Sequence, residues 1–208
     1  MKEEAVRSRY TLLAGETCCL SCGGALEKSA AAPGETGIDL GSGRGTDVIR
    51  MAGIVGQEGF VYGVDTTPEM IKKGRSAAVK LGIDNVEFIQ SGLEQIPLED
   101  GVADVIISNC VINHVSRKDL VWMEIYRLLK QGGRFVVSDI CSVEPVPEEY
   151  SSDPASVAEC WAGAVTKDQY LADVEGAGFH RVKILEESKP YEKGKIKVFS
   201  FTLSGFKQ

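Results

Sequence analysis

Short apolar runs alternate along this chain with longer stretches whose apolar residues recur at helical spacing. Segments 38–40, 60–64, 86–89, 102–108 and 134–140 read as strands, the fourth through its run Val105-Ile106-Ile107. Between them lie helical stretches. The first begins near Gly45 and ends before Gly53–Gly56; the second has Thr67 as N-cap and Pro68 at its first helical position and stops at Leu81-Gly82. A third runs from about Lys118 to Leu129 and is stopped by Gly132-Gly133. Such βαβ repetition argues for an α/β fold, a parallel sheet covered by helices on both faces. After residue 140 the rhythm breaks. Residues 142–165 form a proline- and serine-rich insertion with a short helical pattern from Pro154 to Trp161. Thr166-Lys167-Asp168-Gln169 is a capping box whose helix ends at Gly176-Ala177-Gly178. Two closing strands follow, at about 180–186 and 195–203, the second alternating weakly as an edge hairpin partner does. Residues 3–14 suit a short amphipathic helix, and a loop of thiols and small residues fills the gap to residue 36. The expected organisation is an N-terminal helix and cysteine-rich lid loop over 1–36, then a core over 37–208 with its insertion at 142–165.

Composition adds exclusions. With 208 residues and 43% hydrophobic content there is material for one sizeable core. The charge is −7, from 23 basic and 30 acidic residues, and no basic run marks a nucleic-acid partner. No apolar stretch is long enough for a bilayer, and Met1-Lys2-Glu3-Glu4 does not open a signal peptide. A cytoplasmic protein without nucleic-acid or membrane partners is expected. Six cysteines do not make a disulfide framework, and in that compartment they stay thiols unless chemistry uses them.

The densest chemical signal is Gly37-Ile38-Asp39-Leu40-Gly41-Ser42-Gly43-Arg44-Gly45, a strand breaking into a glycine turn before a helix. Asp65 follows at the end of the second strand, where its carboxylate can accept two ribose hydroxyls. The pocket this predicts lies at the carboxyl ends of strands one and four, where strand order reverses. A dinucleotide fingerprint would put glycine at position 46, which is Thr46. Asp39 discriminates further. It repels a pyrophosphate and attracts an ammonium, which favours S-adenosylmethionine over a nicotinamide cofactor. The turn Ser91-Gly92-Leu93-Glu94 can hold the adenine, with Leu93 against the ring. Asn109-Cys110-Val111-Ile112-Asn113-His114 should face the transferred methyl.

At these residues the chain resembles the class I S-adenosylmethionine-dependent methyltransferases, and within them the arsenite methyltransferase group. Arg7-Ser8-Arg9-Tyr10 before Cys18-Cys19, the segment Asp39–Gly45, Asn109–Asn113, Cys160-Trp161-Ala162-Gly163-Ala164 and Phe201–Lys207 carry that closer likeness. The resemblance implies a Rossmann-like mixed sheet of seven strands, helices on both faces and the final strand antiparallel. It places cofactor contacts on Asp39, Gly41, Gly43, Asp65, Met70, Leu93, Glu94 and Asn109, with Thr66 and Gly92 beside them. It places catalytic, arsenic-binding thiols on Cys160 and on Cys18 or Cys19. Many members have a third such cysteine further on, and none follows Cys160 here. Either a small-molecule thiol completes the set, or Cys19 or Cys22 does, or the acceptor has changed. The partners implied are arsenite, as a glutathione or other thiol adduct, and a thiol reductant.

Trivalent arsenic is soft and selects thiolates. Bound to sulfur it keeps a lone pair, so methyl transfer needs alignment more than a base. The same residues allow plainer readings. Cys160 could be a packing cysteine beside Trp161; Cys110 reads as a small residue lining the cofactor site, Cys141 as core, His180 as surface and Asp104 as a strand-end hydrogen-bond group. His114 could act as a base on an oxygen or nitrogen acceptor. Two other functions remain open: methylation of a small organic acceptor (a quinone, a sterol-like molecule or an amine), and a non-catalytic S-adenosylmethionine or zinc-binding module built on Cys18, Cys19 and Cys22. A dehydrogenase is disfavoured by Asp39.

Overall fold

The computed structural model describes residues 2–14 and 23–208. In chain order they form α1 (Lys2–Ala14), α2 (Ala25–Lys28), β1 (Thr36–Leu40), α3 (Thr46–Val55), β2 (Phe60–Asp65), α4 (Pro68–Leu81), β3 (Val86–Gln90), β4 (Ala103–Asn109), α5 (Lys118–Leu128), β5 (Leu129–Ser142), α6 (Glu148–Ser151), α7 (Pro154–Ala158), α8 (Lys167–Gly176), β6 (His180–Glu187), β7 (Tyr191–Lys193) and β8 (Ile196–Phe206). The strands join in the order β3-β2-β1-β4-β5-β8-β6, with β7 as a short arm on β8. The first five pair in parallel and β8 runs antiparallel to its neighbours. The expected mixed sheet is present, with β7 as an additional strand.

The pleat sorts β4 between two cores. Ile106 joins Trp122, Phe135, Tyr170 and Phe179 on the α5–α8 face. Val105 and Ile107 join Val48, Met51, Ile71 and Phe88 on the α3–α4 face. Trp122 meets Phe135, Tyr170 and Phe179 edge-on, at centroid distances of 5.1, 5.7 and 6.3 Å.

Several boundaries move for physical reasons. Gly132-Gly133 does not stop α5. The helix ends at Leu128, Leu129 is already extended, and the glycine pair lies within β5, bonded to Lys207 at the end of β8. β8 is not an edge strand. It is paired on both sides and buries Val198, Phe201 and Leu203, which leaves β6 as the exposed edge. Thr67 occupies the N-cap of α4 without a side-chain capping bond to the helix; the Asp65 carboxylate takes its N–H instead, at 2.8 Å. Thr166 does cap α8 through the N–H of Gln169, but the Gln169 side chain turns to Asp173, so the box is one-sided. The insertion helix is broken. Asp153 caps α7, which ends at Ala158, and Cys160 starts a separate 3-10 turn, Trp161–Gly163.

α1 buries only Val6 and Ala14, less than an amphipathic helix should. Polar bonds hold it. Lys2 Nζ donates to Ser151 O at 2.7 Å, Thr11 Oγ1 to Glu69 at 3.0 Å, and Lys73 Nζ to Ala14 O. α1 thus bridges α4 and the insertion. Among the described residues no helix is long and apolar enough to cross a membrane.

Candidate active site

A cavity of about 510 Å³ opens at the carboxyl ends of β1 and β4, where strand order reverses. The chain leaves β1 through a turn pinned by the N–H groups of Gly41 and Ser42 on Val64 O, at 2.8 and 2.9 Å. Gly41 has φ 73°, and a Cβ there would meet the Val111 side chain at 2.5 Å. Asp65 braces the turn from the next strand. Its carboxylate accepts the Gly43 N–H at 2.9 Å and the Thr67 N–H at 2.8 Å, and keeps acceptor capacity toward the cavity.

The electrostatics of this end are lopsided. Burial pushes the Asp39 carboxyl well above its usual range, and the nearby Asp47 and Asp65 push it further. Burial also raises Asp65. Ser42 Oγ is buried with no hydrogen-bond partner among the described residues, and Ser42 lines the cavity. Three crowded carboxylates and an orphaned hydroxyl describe a pocket suited to a cationic, polyhydroxylated guest.

All of Asp39, Gly41, Gly43, Asp65, Thr66, Met70, Gly92, Leu93, Glu94 and Asn109 lie on the wall of this one cavity. Asn109 does so differently from expectation. Its amide donates to Asp47 Oδ2 and accepts the Ala25 N–H, each at 3.2 Å, so from the wall it also braces α2 and α3. Sequence reasoning did not assign Ser42, Gln90, Val6 or Arg7 to the wall. Ser42 was within reach, as a polar residue inside the glycine turn. Val6 and Arg7 arrive only because α1 docks over the opening.

The other end of the cavity carries Cys110, Val111 and His114. Cys110 has φ 54°, and Cys160 has φ 76°. The Cys160 thiol is buried and donates to Cys110 O at 3.6 Å. It sits one residue behind the cavity wall, with Trp161, Val157 and Ile140. The 3-10 turn Ile112–His114 lies against the turn Trp161–Gly163 so closely that a Cβ on Gly163 would come within 1.9 Å of Asn113 O. Lys118 is half-buried alongside; desolvation lowers its pKa, while Asp139, Asp173 and Cys160 favour its charge.

His114 is not a poised base. Its Nδ1 lies 3.1 Å from Val157 O, which only accepts, so that nitrogen carries the proton; Nε2 accepts from Tyr10 Oη at 3.0 Å. Burial lowers its pKa to about 4, so the ring is neutral. Cys141 is core, and burial raises its thiol. His180 is exposed, and Asp104 binds the Thr36 N–H and Lys130. A buried carboxyl that sequence reasoning missed, Asp139, is raised by desolvation to about 7; it accepts from Asn113 Nδ2 at 2.8 Å and from the Ile140 N–H at 2.9 Å. Cys18, Cys19 and Cys22 lie outside the described residues. The described residue that follows them, Gly23, packs against Asn109 and Ser138 at the ends of β4 and β5.

A methyltransferase-domain family model matches residues 31–186. The arsenite methyltransferase of Halobacterium salinarum is 42% identical over 173 residues, covering 83% of this chain and 44% of that protein. The human arsenite methyltransferase is 34% identical over 152 residues, 68% of this chain and 40% of that one. The chain thus spans less than half the length of these curated relatives. The crystal structure of CrArsM, an arsenic(III) S-adenosylmethionine methyltransferase from Chlamydomonas reinhardtii, superposes with a TM-score of 0.79 at 32% identity, covering 98% of this chain and 73% of that one.

Proposed function

Because the chain belongs to the methyltransferase-domain family, we propose that it transfers a methyl group from S-adenosylmethionine to thiol-bound trivalent arsenic. Asp39, Asp65 and Ser42 fit that cofactor. The crowded carboxylates suit a molecule that brings an ammonium and a sulfonium, and Asp65 has lone pairs left for ribose hydroxyls. Leu93 supplies an apolar surface for the adenine and Gly41 keeps a side chain out of the turn. When bound, S-adenosylmethionine supplies a methyl made electrophilic by its sulfonium. The protein's own task is to hold both partners, exclude water beneath α1 and leave the arsenic lone pair facing the cavity.

The observation that carries the arsenic reading is Cys160, a buried thiol held in a left-handed backbone and bonded to a wall residue of the cofactor cavity. We take Cys18 or Cys19 as further ligands, arsenite arriving as a glutathione or other thiol adduct in the cytoplasm, and a thiol reductant as co-reactant. The arsenite methyltransferase relatives support this acceptor. An organic acceptor that needs a base is less well served, since both nitrogens of His114 are engaged.

The test is transfer of labelled methyl from S-adenosylmethionine to arsenite with glutathione present. Label should reach arsenic, and Cys160→Ser should abolish this while cofactor binding persists. A wild-type chain that binds the cofactor but never labels arsenic removes the acceptor assignment.

A further inference from the structure

We propose that a second cavity binds the amino-acid end of a small thiol such as glutathione, with Lys193 taking its carboxylate. This rests on the arsenic reading above and places the non-protein thiol of that reading. The cavity, of about 700 Å³, lies where the ends of β5 and β6 meet β7 and β8. It shares one wall residue with the cofactor cavity, Cys110. A guest here can therefore carry its sulfur to the junction of the two cavities, beside the turn that holds Cys160.

The wall is charged and polar, with Asp139, Glu186, Glu187, Ser188, Tyr191 and Lys193 among its residues. Most of these groups are already engaged. Glu186 pairs with Lys28 at 3.0 Å and Glu187 with Lys167. Tyr191 Oη and Ser200 Oγ are bonded at 2.9 Å. Asp139 accepts from Asn113 and from the Ile140 N–H. Lys193 differs. It is half-buried and is the one basic residue on this wall among the described residues, and its ammonium makes no hydrogen bond or ion pair with them. A partly desolvated ammonium of that kind gains from an anionic partner. Its charge acts on Asp139 in this cavity and on His114 in the other.

The arm that carries Lys193 is anchored. Lys193 pairs with Ile196 across the β7–β8 hairpin. Gly194 at the tip has φ 63° and lies so close to the Trp161 ring that a Cβ would come within 2.2 Å. Trp161 directly follows Cys160, so one contact fixes the arm and the Cys160 turn relative to each other. A guest with a carboxylate for Lys193 and an ammonium for the acidic wall matches this pattern. A neutral thiol such as 2-mercaptoethanol offers neither.

The step served is ligand exchange on arsenic without change of oxidation state. An As–S bond to the guest replaces an As–O bond, the thiol proton joins the departing hydroxide, and water leaves. The lone pair stays on arsenic.

The probe is S-methylglutathione, which keeps the charged ends but has no thiol to exchange on arsenic. With no arsenic present, an NMR titration should show saturable binding of one molecule per chain. Lys193→Ala should weaken it roughly 10-fold. Lys193→Arg should restore most of it, and Lys195→Ala, on the same hairpin but off the cavity wall, should leave it unchanged. In arsenite methylation, the kcat/KM preference for glutathione over 2-mercaptoethanol should fall by a similar factor in Lys193→Ala. No saturable binding by the unmodified chain, binding indifferent to Lys193→Ala, or an unchanged thiol preference would each overturn the proposal. A chain that binds S-methylglutathione through Lys193 yet never labels arsenite loses the acceptor assignment and keeps this site.

Discussion

At the β1–β3 end of the cavity, the working groups sit on turns that directly follow strands; at the β4–β5 end they come from α1, a 3-10 turn and a distant insertion. The first end needs little beyond β-strands in register. Asp39 and Asp65 are placed by parallel pairing of β1 with β2, and the glycine turn is closed by Asp65 itself. The second depends on Cys160 reaching Cys110 across fifty residues of chain, with backbone strain at both. One end is a property of the sheet, the other of how separate loops dock on it. Changes at one end should therefore leave the other nearly intact.

The largest expected effect probes the sheet-built end. Asp65→Ala removes a carboxylate that accepts two backbone N–H groups and faces the cavity. Losing charged hydrogen bonds of about 1.5–3 kcal/mol should weaken cofactor binding roughly 10- to 150-fold. Calorimetric titration measures this, and the slow alkylation of the buried Cys160 thiol should not change. If alkylation speeds up too, the two ends are one unit.

Gly163→Ala tests the docked end. Its Cβ would lie 1.9 Å from Asn113 O, backbone that cannot swing aside. A loss of about 1–3 kcal/mol of stability is expected. Methyl transfer should fall at saturating cofactor, with cofactor affinity within a few-fold of wild type.

His114 ties α1 to the insertion. Its folded pKa of about 4 lies below the unfolded value of 6.5, so the unfolded chain binds the proton more readily between them. Stability from this group is complete above pH 6.5 and is lost as pH falls toward 4, by about 2 kcal/mol at pH 5. Urea melts at pH 7 and pH 5 should show that loss, and His114→Gln should remove most of it.

Asp39 runs the other way. Its folded pKa is raised by burial and by Asp47 and Asp65, so its contribution is present at acid pH and is lost as pH rises. Asp39→Asn should stabilise the ligand-free chain by about 1 kcal/mol at pH 8, less at pH 5, while weakening cofactor binding. A destabilised Asp39→Asn chain at pH 8 would show that Asp39 is compensated by something other than a cationic guest.

Much of the sheet-built end was legible in the chain. Asp39, the glycines and Asp65 stand at fixed offsets from strand ends, and parallel strands bring such ends together wherever the helices lie. Asn109 was legible as a wall residue but not in its role, because its partners Asp47 and Ala25 come from two other elements. Cys110 read as a small lining residue; nothing local announces that the 160 turn will place a sulfur on its carbonyl. β8 was misjudged as an edge because weak alternation cannot distinguish an edge strand from one paired on both sides.

The amino-acid sequence by itself determined the alternation of elements, the position of the cavity at the order reversal and the acidic character of its cofactor end. These follow from periodicity and from charges a few residues from a strand terminus. Only the tertiary structure decided that α1 roofs the cavity, that His114 is neutral with both nitrogens engaged, and that Cys110 and Cys160 meet. Each of those depends on desolvation and contact between segments far apart in the chain, which local propensity does not encode.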